Sequence, residues 1–387
     1  MANIFDTSFD YASRLTKIRR LMDERDLDCV LVHKWPNQYY VSGFYQHLPW
    51  YPLTTHPGEA PLIIFRDEGK EPVFVSAYLI FNAVKEGTWI DDVRAYDRGS
   101  ALGVYDFVAE ILKEKGVAGG NVGIEEDCCT HNTITKLKEA LPKAQFKNAA
   151  VVFNTARVVK EPAEIELIKE SVAIAEAAMQ VAIDTAKPGV SEIEVQTAAE
   201  IEMKRLGAIR EVETMCQAGA RTANYRAFAS NWNKIAENDL VMVDLGCIHK
   251  GYGSDITRTW AVGAATDEQK KIANDLYRIH EKLLAFIKPG LKYHEVSDLA
   301  REELASAGYQ SDKMDFPFQK FSLHGVGLGP FHDPPDSHTK DVILEAGMVL
   351  SVQPSMRHEK YSIRFEDDVI ITTDGIENMN KLPRELI

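Results

Sequence analysis

The chain contains no apolar run approaching the roughly 18 residues that a membrane-spanning helix needs, so a bilayer is not expected among its partners. An excess of positive charge is also missing. With 44 Lys and Arg against 58 Asp and Glu, the net charge is −14, a balance that attracts neither a phosphate backbone nor an anionic surface. Nucleic acid is therefore excluded as the main partner. Cysteine is sparse: Cys29, Cys128, Cys129, Cys216 and Cys247 are odd in number and follow no zinc-ligand spacing. They are expected to be reduced thiols, and adjacent residues such as Cys128 and Cys129 rarely close a relaxed disulfide. The opening Met-Ala-Asn-Ile-Phe-Asp shows no basic segment followed by an apolar stretch, and a cytoplasmic location is the expectation.

What is present is an ordinary globular composition, 45% hydrophobic and 26% charged, in 387 residues. That length favours two cores over one. In the first part, helical spacing of Leu15, Ile18, Leu21 and Met22 is followed by a strand at Cys29-Val-Leu-Val. Further strands are expected at Pro61 to Phe65, Val73 to Val75 and Asn121 to Glu125, with helices at Val104 to Glu114 and Asn132 to Leu141. Such alternation predicts an α/β domain. Between Gly43 and Pro61 lies an aromatic, proline-punctuated loop that includes Trp50 and Tyr51, and a loop of that length is commonly functional.

Arg157-Val-Val-Lys-Glu-Pro162 reads as a linker entering a helix, since proline suits a first helical turn. The expected domains are residues 1–157 and 158–387. Helices follow at Glu164 to Ala186, Ser191 to Leu206, Asp267 to Phe286 and Tyr293 to Ala307, and Lys-Pro-Gly recurs after the first and third of them. That recurrence points to an internal duplication.

Chemistry concentrates in Val241-Met-Val-Asp244-Leu-Gly-Cys-Ile-His249-Lys-Gly251-Tyr-Gly-Ser-Asp255-Ile-Thr-Arg-Thr-Trp260. Two apolar, β-rich runs flank a polar middle, which predicts a hairpin turning at His249-Lys250-Gly251. Folded about that turn, Asp244 and Asp255 stand opposite each other at about 5 Å. Two ionised carboxylates that close repel unless a cation lies between them, and a divalent metal is the natural candidate. Downstream, His324 sits in Leu-His-Gly-Val-Gly-Leu-Gly, Gln353 in Leu-Ser-Val-Gln-Pro-Ser, and Glu366 in Ser-Ile-Arg-Phe-Glu-Asp-Asp-Val.

With these segments in view, the chain resembles the pita-bread metallopeptidases, the family of prolidase, aminopeptidase P and methionine aminopeptidase. Gly-Tyr-Gly-Ser-Asp-Ile-Thr-Arg-Thr, His-Gly-Val-Gly-Leu, the Pro-Pro after His332 and Glu-Ala-Gly-Met-Val all carry the likeness. The resemblance implies an α+β protein: a pita-bread (creatinase/aminopeptidase) catalytic domain behind an N-terminal creatinase-like α/β domain. It implies one or two divalent ions (Mn, Co, Fe or Zn), with Asp244, Asp255, His324, Gln353 and Glu366 at the metal positions. It also implies His332 as a substrate-facing histidine and a homodimer in which Trp50 and Tyr51 help close the neighbouring site; Arg364, two residues before Glu366, is expected to brace a carboxylate.

Two departures bear on function. Two-metal relatives have Glu where this chain has Gln353, and that Glu is the suggested general base; an amide cannot take the proton. Peptide-cleaving relatives have a His in the segment occupied here by Asn224-Tyr-Arg226-Ala, where Arg226 is suited to a substrate carboxylate. The implied activity is metal-dependent hydrolysis of a C–N bond in a small or Xaa-Pro-like dipeptide substrate, with an altered site. The alternatives are non-peptidase chemistry on the same fold, either a creatinase-like hydrolase or a lyase, and a non-catalytic binding module.

Overall fold

The computed structural model describes residues 9–45, 61–97, 103–212, 214–224, 228–309, 323–335, 342–357 and 360–384, with 329–332 described by backbone alone. Trp50, Tyr51 and Arg226 lie outside the described residues. The chain divides into two compact units, Met1–Ala156 and Arg157–Ile387.

In the first unit, α1 (Tyr11–Asp23), β1 (Cys29–Val32), α2 (Trp35–Ser42), β2 (Leu62–Phe65), β3 (Val73–Ala77) and α3 (Phe81–Gly87) come first. They are followed by β4 (Asp92–Tyr96), α4 (Val104–Glu114), β5 (Asn121–Ile124), α5 (His131–Ala140), β6 (Gln145–Asn148) and α6 (Ala150–Arg157). The strands form one sheet in the order β4-β3-β2-β1-β5-β6. Cys29, Leu31, Val73, Val75 and Val122 pack with Val108, Ile111 and Leu112 of α4, so the helix buries its apolar stripe on the sheet.

The second unit opens with α7 (Pro162–Thr185) and α8 (Glu192–Arg205). Pro162 occupies the first turn of α7 and Glu161 and Glu164 form its capping box, as the linker motif leads one to expect. Strands β7 (Arg210–Glu211), β8 (Met215–Ala218), β9 (Leu240–Leu245), β10 (Cys247–His249), β11 (Tyr252–Gly253) and β12 (Ile256–Ala261) follow, then α9 (Asp267–Phe286) and α10 (Tyr293–Ser306). The last strands are β13 (Leu323–Gly327), β14 (Gly329–Asp333), β15 (Val349–Val352), β16 (Ser355–Arg357), β17 (Ser362–Arg364), β18 (Asp367–Ile371) and β19 (Ile376–Asn378). Two sheets dominate, β12-β9-β8 and β14-β13-β15-β18-β19. The first packs on α7 and α8 through Val241, Val243, Ile256, Ala175 and Met179. The second packs on α9 and α10 through Leu323, Leu350, Val369, Leu276 and Ile279. Among the described residues no helix is long and apolar enough to cross a membrane.

The hairpin differs from expectation in register. Its turn is Lys250-Gly251, with φ of 47° and 92°, and His249 pairs with Tyr252 instead of standing in the turn. Positive φ at both central residues is the type I′ pattern whose twist suits a two-residue hairpin. Continuing the register pairs Asp244 with Thr257. Asp255 therefore lies diagonally across from Asp244 rather than directly opposite, where the separation is typically about 7–8 Å instead of 5 Å. At Gly246 the strands come so close that a Cβ would sit 1.9 Å from the Ser254 carbonyl oxygen. Only glycine fits there.

The linker also does more than connect. Arg157 and Lys160 are both buried and both pair with buried Asp333, Lys160 at 2.9 Å. Lys160 Nζ also donates to the Pro334 carbonyl at 2.8 Å, and Arg157 to that of Leu328 at 2.9 Å. Removing the shared acid strands two desolvated cations, and losing one partner of a buried pair costs about 3–5 kcal/mol. Asp333→Ala is expected to lower the unfolding free energy by about that amount in urea titration, whereas a change below about 1 kcal/mol would mean the cations find water instead.

Candidate active site

Strand alternation decides which side chains meet. In β9, Val241, Val243 and Leu245 enter the core behind the sheet, which leaves Met242 and Asp244 on the other face. Ile256 and Trp260 of β12 also face that core, so Asp255, Thr257 and Thr259 share the front. The second half repeats the rule. Leu323, Leu350, Val352, Val369 and Ile371 point into its core, leaving His324, Ser351, Gln353, Glu366 and Asp368 in front. The two halves meet at an isolated bridge between Thr257 and Glu366.

At that junction Asp255, His324 and Glu366 bring one donor atom each to within 4.8 Å of one another, and all three are buried. His324 Nε2 lies 3.3 Å from Asp255 Oδ2 and 3.4 Å from Glu366 Oε1. Its Nδ1 lies 3.2 Å from the Gly325 carbonyl, which fixes the ring with Nε2 toward the acids. Thr257 Oγ1 donates to Glu366 Oε2 at 2.6 Å and Ser351 Oγ to Oε1 at 2.8 Å. The Asp255 backbone N–H donates to Asp368 Oδ2 at 2.9 Å. Asp244 stands beside this trio, held by a buried ion pair with Arg364.

The electrostatics follow from desolvation. Burial, then repulsion from Glu366, raises Asp255 well above the usual carboxylate range. Burial acts the same way on Glu366, but the His324 hydrogen bond and the Arg364 charge outweigh it and hold that carboxyl at about 2. Burial alone would depress His324, yet its hydrogen bonds to Asp255 and Glu366 raise it well above its ordinary value. Asp368 is raised chiefly by burial. Negative charge thus settles on Glu366 and positive charge on the imidazole.

Of the residues singled out by sequence, Asp255, His324 and Glu366 converge, and Asp244 adjoins them. Gln353 is buried at 4% exposure, and the β15–β18 register, Ser351 to Asp368 and Val352 to Asp367, continues to set it across from Glu366. Arg364 braces a carboxylate as read, that of Asp244. The backbone of His332 lies in β14, without a described side chain. His249 faces Glu170 at 2.9 Å and the Gly207 carbonyl at 3.1 Å, away from the site. Sequence reasoning passed over Thr257, Ser351 and Asp368. The available signal was polar residues recurring at the front-facing positions of otherwise apolar strands.

A family model described as Metallopeptidase family M24 matches residues 166–373. The chain belongs to metallopeptidase family M24. A second model, Creatinase/Prolidase N-terminal domain, matches residues 14–159 of this M24 metallopeptidase. The Xaa-Pro dipeptidase of Pyrococcus furiosus is 30% identical over 97% of the chain and 99% of the relative. The solved prolidase of Pyrococcus horikoshii superposes with a TM-score of 0.83 at 30% identity, covering 97% of this chain and all (100%) of that one. An Xaa-Pro dipeptidase structure from Bacillus anthracis gives 0.84 at 28% identity, covering 98% and 99%.

Glu366 yields a stability test with a defined pH direction. Its pKa is depressed in the fold from 4.5 to about 2, so its contribution is present above the unfolded value and is lost as pH falls through about 2. A hydrogen bond to a charged group contributes about 1.5–3 kcal/mol. Thr257→Val in chelator-treated protein is expected to lose that much stability near neutrality, and the loss should shrink as the pH falls below 4.5. A penalty that does not vary with pH would show that Thr257 acts by packing alone.

Proposed function

We propose that this M24 metallopeptidase hydrolyses the amide bond of small Xaa-Pro or similar dipeptides with a single tightly held divalent ion. The observation that carries the reading is the buried convergence of Asp255, His324 and Glu366, set in a chain similar along its whole length to proteins named Xaa-Pro dipeptidase. The donors fit such an ion: carboxylate oxygens and an imidazole nitrogen suit Mn, Co, Fe or Zn, and buried charges of one sign need a counter-charge. Asp255, His324 and Glu366 would hold it, with Asp244 and Gln353 at its margin. When bound, a divalent ion supplies Lewis acidity toward a carbonyl and toward water.

The chain's own groups do the rest. Thr257 and Ser351 fix both oxygens of Glu366, and Asp368 fixes the backbone of Asp255, so these two ligands are oriented in advance. Gln353 contributes a neutral oxygen and accepts no proton. With His324 neutral and all three acids ionised, as ion binding requires, Asp244, Asp255 and Glu366 together with the Arg364 guanidinium would amount to two net negative charges, which one divalent ion would balance. A second ion would leave positive charge in excess inside a buried pocket. Substrate contacts are assigned to His332 and Arg226, and to Trp50 and Tyr51 from the partner copy of a homodimer. The family resemblance supports these assignments except that of Arg226, which stands where relatives have His and rests on the fit of a guanidinium to a substrate carboxylate.

Elemental analysis of protein loaded with manganese is expected to find one firmly bound ion per chain, with measurable hydrolysis of Xaa-Pro dipeptides. Gln353→Glu should raise the count to two. Two firmly bound ions in the unaltered chain would overturn the charge argument. Absence of dipeptide hydrolysis by both proteins, with turnover of small amidines instead, would overturn the peptidase reading.

A further inference from the structure

The first unit holds a group of nucleophiles that the proposed hydrolysis does not use. Cys128 and Cys129 follow β5 in a turn where both backbone N–H groups donate to the Glu125 carbonyl at 3.0 Å. That turn brings Cys129 Sγ to 3.8 Å from His33 Nδ1. The ring is held rigidly: His33 is 3% exposed, its backbone N–H donates to Glu125 Oε2 at 2.5 Å, and its Nδ1 lies 3.1 Å from the Leu31 carbonyl. Glu125 itself is fully buried and accepts the Lys34 N–H at 2.8 Å as well as a bond from Asn37. His33 Nε2 is buried without a hydrogen-bond partner. Glu125 fixes the backbone of His33, and an imidazole nitrogen held facing a sulfur is an arrangement that polarises a thiol.

Exposure separates this pair from the other cysteines. Cys128 and Cys129 are partly exposed and unbridged, whereas Cys29, Cys216 and Cys247 are buried. Hydrogen bonding from Cys128, then from His33, draws the Cys129 thiol down to about 5 against burial and the charge of Asp127. Burial instead pushes Cys29 up to about 12. Hydrogen bonding to Cys129 and burial raise the Cys128 thiol, with Glu125 adding to the rise and Lys34 opposing it, so the charged groups facing the pair are His33, Lys34, Glu125 and Asp127. The pair and His33 do not form one of the described His/Cys/Asp/Glu groups with donor atoms within 4.8 Å of one another. Thiol chemistry is therefore favoured over ion binding.

We propose that Cys129 is a reactive thiolate, with Cys128 and His33 as its positioning residues, and that hydroperoxides oxidise it to a sulfenic acid. In that step the sulfur attacks the peroxide, an S–O bond forms and the O–O bond breaks. Sulfur loses two electrons, and the departing hydroxide, or alkoxide from an organic hydroperoxide, takes a proton from solvent to become water or an alcohol. No disulfide between the adjacent residues is required.

The test uses the full chain. With limiting iodoacetamide at about pH 6, peptide mass spectrometry is expected to show Cys129 alkylated about tenfold faster than the same residue in denaturant. That factor allows for the weaker intrinsic nucleophilicity of a low-pKa thiolate. His33→Gln and Cys128→Ser should each reduce this advantage and move the midpoint of its pH profile upward. After hydrogen peroxide, dimedone should label Cys129 and spare the buried cysteines. Alkylation at the denatured-chain rate overturns the proposal, as does an advantage that survives both substitutions or the absence of a dimedone adduct. Should His33→Gln fail to fold, Cys128→Ser, which leaves the buried Glu125 network intact, decides the question by the same readings.

Discussion

Asp255 and Glu366 share a face from which water is largely excluded, and neither can carry charge there without a cation alongside. His324 stands 3.3 and 3.4 Å from the two carboxylates, where its imidazole can offset their charge. The rest of the second unit can be understood as the framework that keeps these groups together despite their desolvation. Apolar side chains fill the backs of both sheets, so every second residue is forced forward, and polar residues at those positions have little choice but to meet. Hydroxyls from Thr257 and Ser351 then satisfy the remaining lone pairs of Glu366. An acid so thoroughly bonded can remain ionised where solvent cannot help it.

A second buried polar layer supports the first from behind. Arg258 is fully buried; it donates to the Glu366 carbonyl at 2.8 Å and to the Leu382 carbonyl at 2.9 Å, and it pairs with Asp367 at 2.8 Å. One guanidinium thus ties the backbone of a site residue to the C-terminal segment, and the planar fork of arginine suits several acceptors at once. Arg384 joins the same layer, 3.4 Å from Asp367 and 3.5 Å from His280. Burial, with the positive charges of Arg384 and Arg258 adding to it against Asp367, lowers His280 to about 4. That histidine is consequently neutral and fills space without adding a further cation.

Much of this could be read from sequence because helices and single strands are local. The spacing predicts helices at Val104 to Glu114 and Asp267 to Phe286, and those residues form α4 and α9. Ligand candidates were legible because acids and histidines are conspicuous in apolar β runs. Register was not. It depends on Lys250 adopting a positive φ, which lysine's own preferences do not announce, and a shift of the turn moved Asp255 from opposite Asp244 to diagonal from it. Long-range pairing was equally hidden. Arg157 and Lys160 look like linker residues until Asp333, far along the chain, is folded against them. The short strands β7, β16 and β17 have too few residues to show a period.

The internal repeat explains why the trio gathers where it does. Gly189 and Gly290 each donate to a carbonyl of the following segment, those of Ile235 and Leu344, both at 2.8 Å. Ser191 bridges Lys234 as Lys292 bridges Ile343. The offset that carries Lys234 to Ile343 also carries Asp244 to Gln353, Asp255 to Arg364 and Thr257 to Glu366. Thr257 and Glu366 are thus mates that pair with each other, which places the pseudo-two-fold axis between them. Across that axis the charges are unequal: Asp244 answers to an amide and Asp255 to a guanidinium. Arg364 draws Asp244 to one side, and Asp255, Glu366 and His324 are left together on the other. A backbone that is nearly symmetric therefore carries an asymmetric set of charges, with two acids and an imidazole gathered on one side of the axis and an acid already paired with a guanidinium on the other.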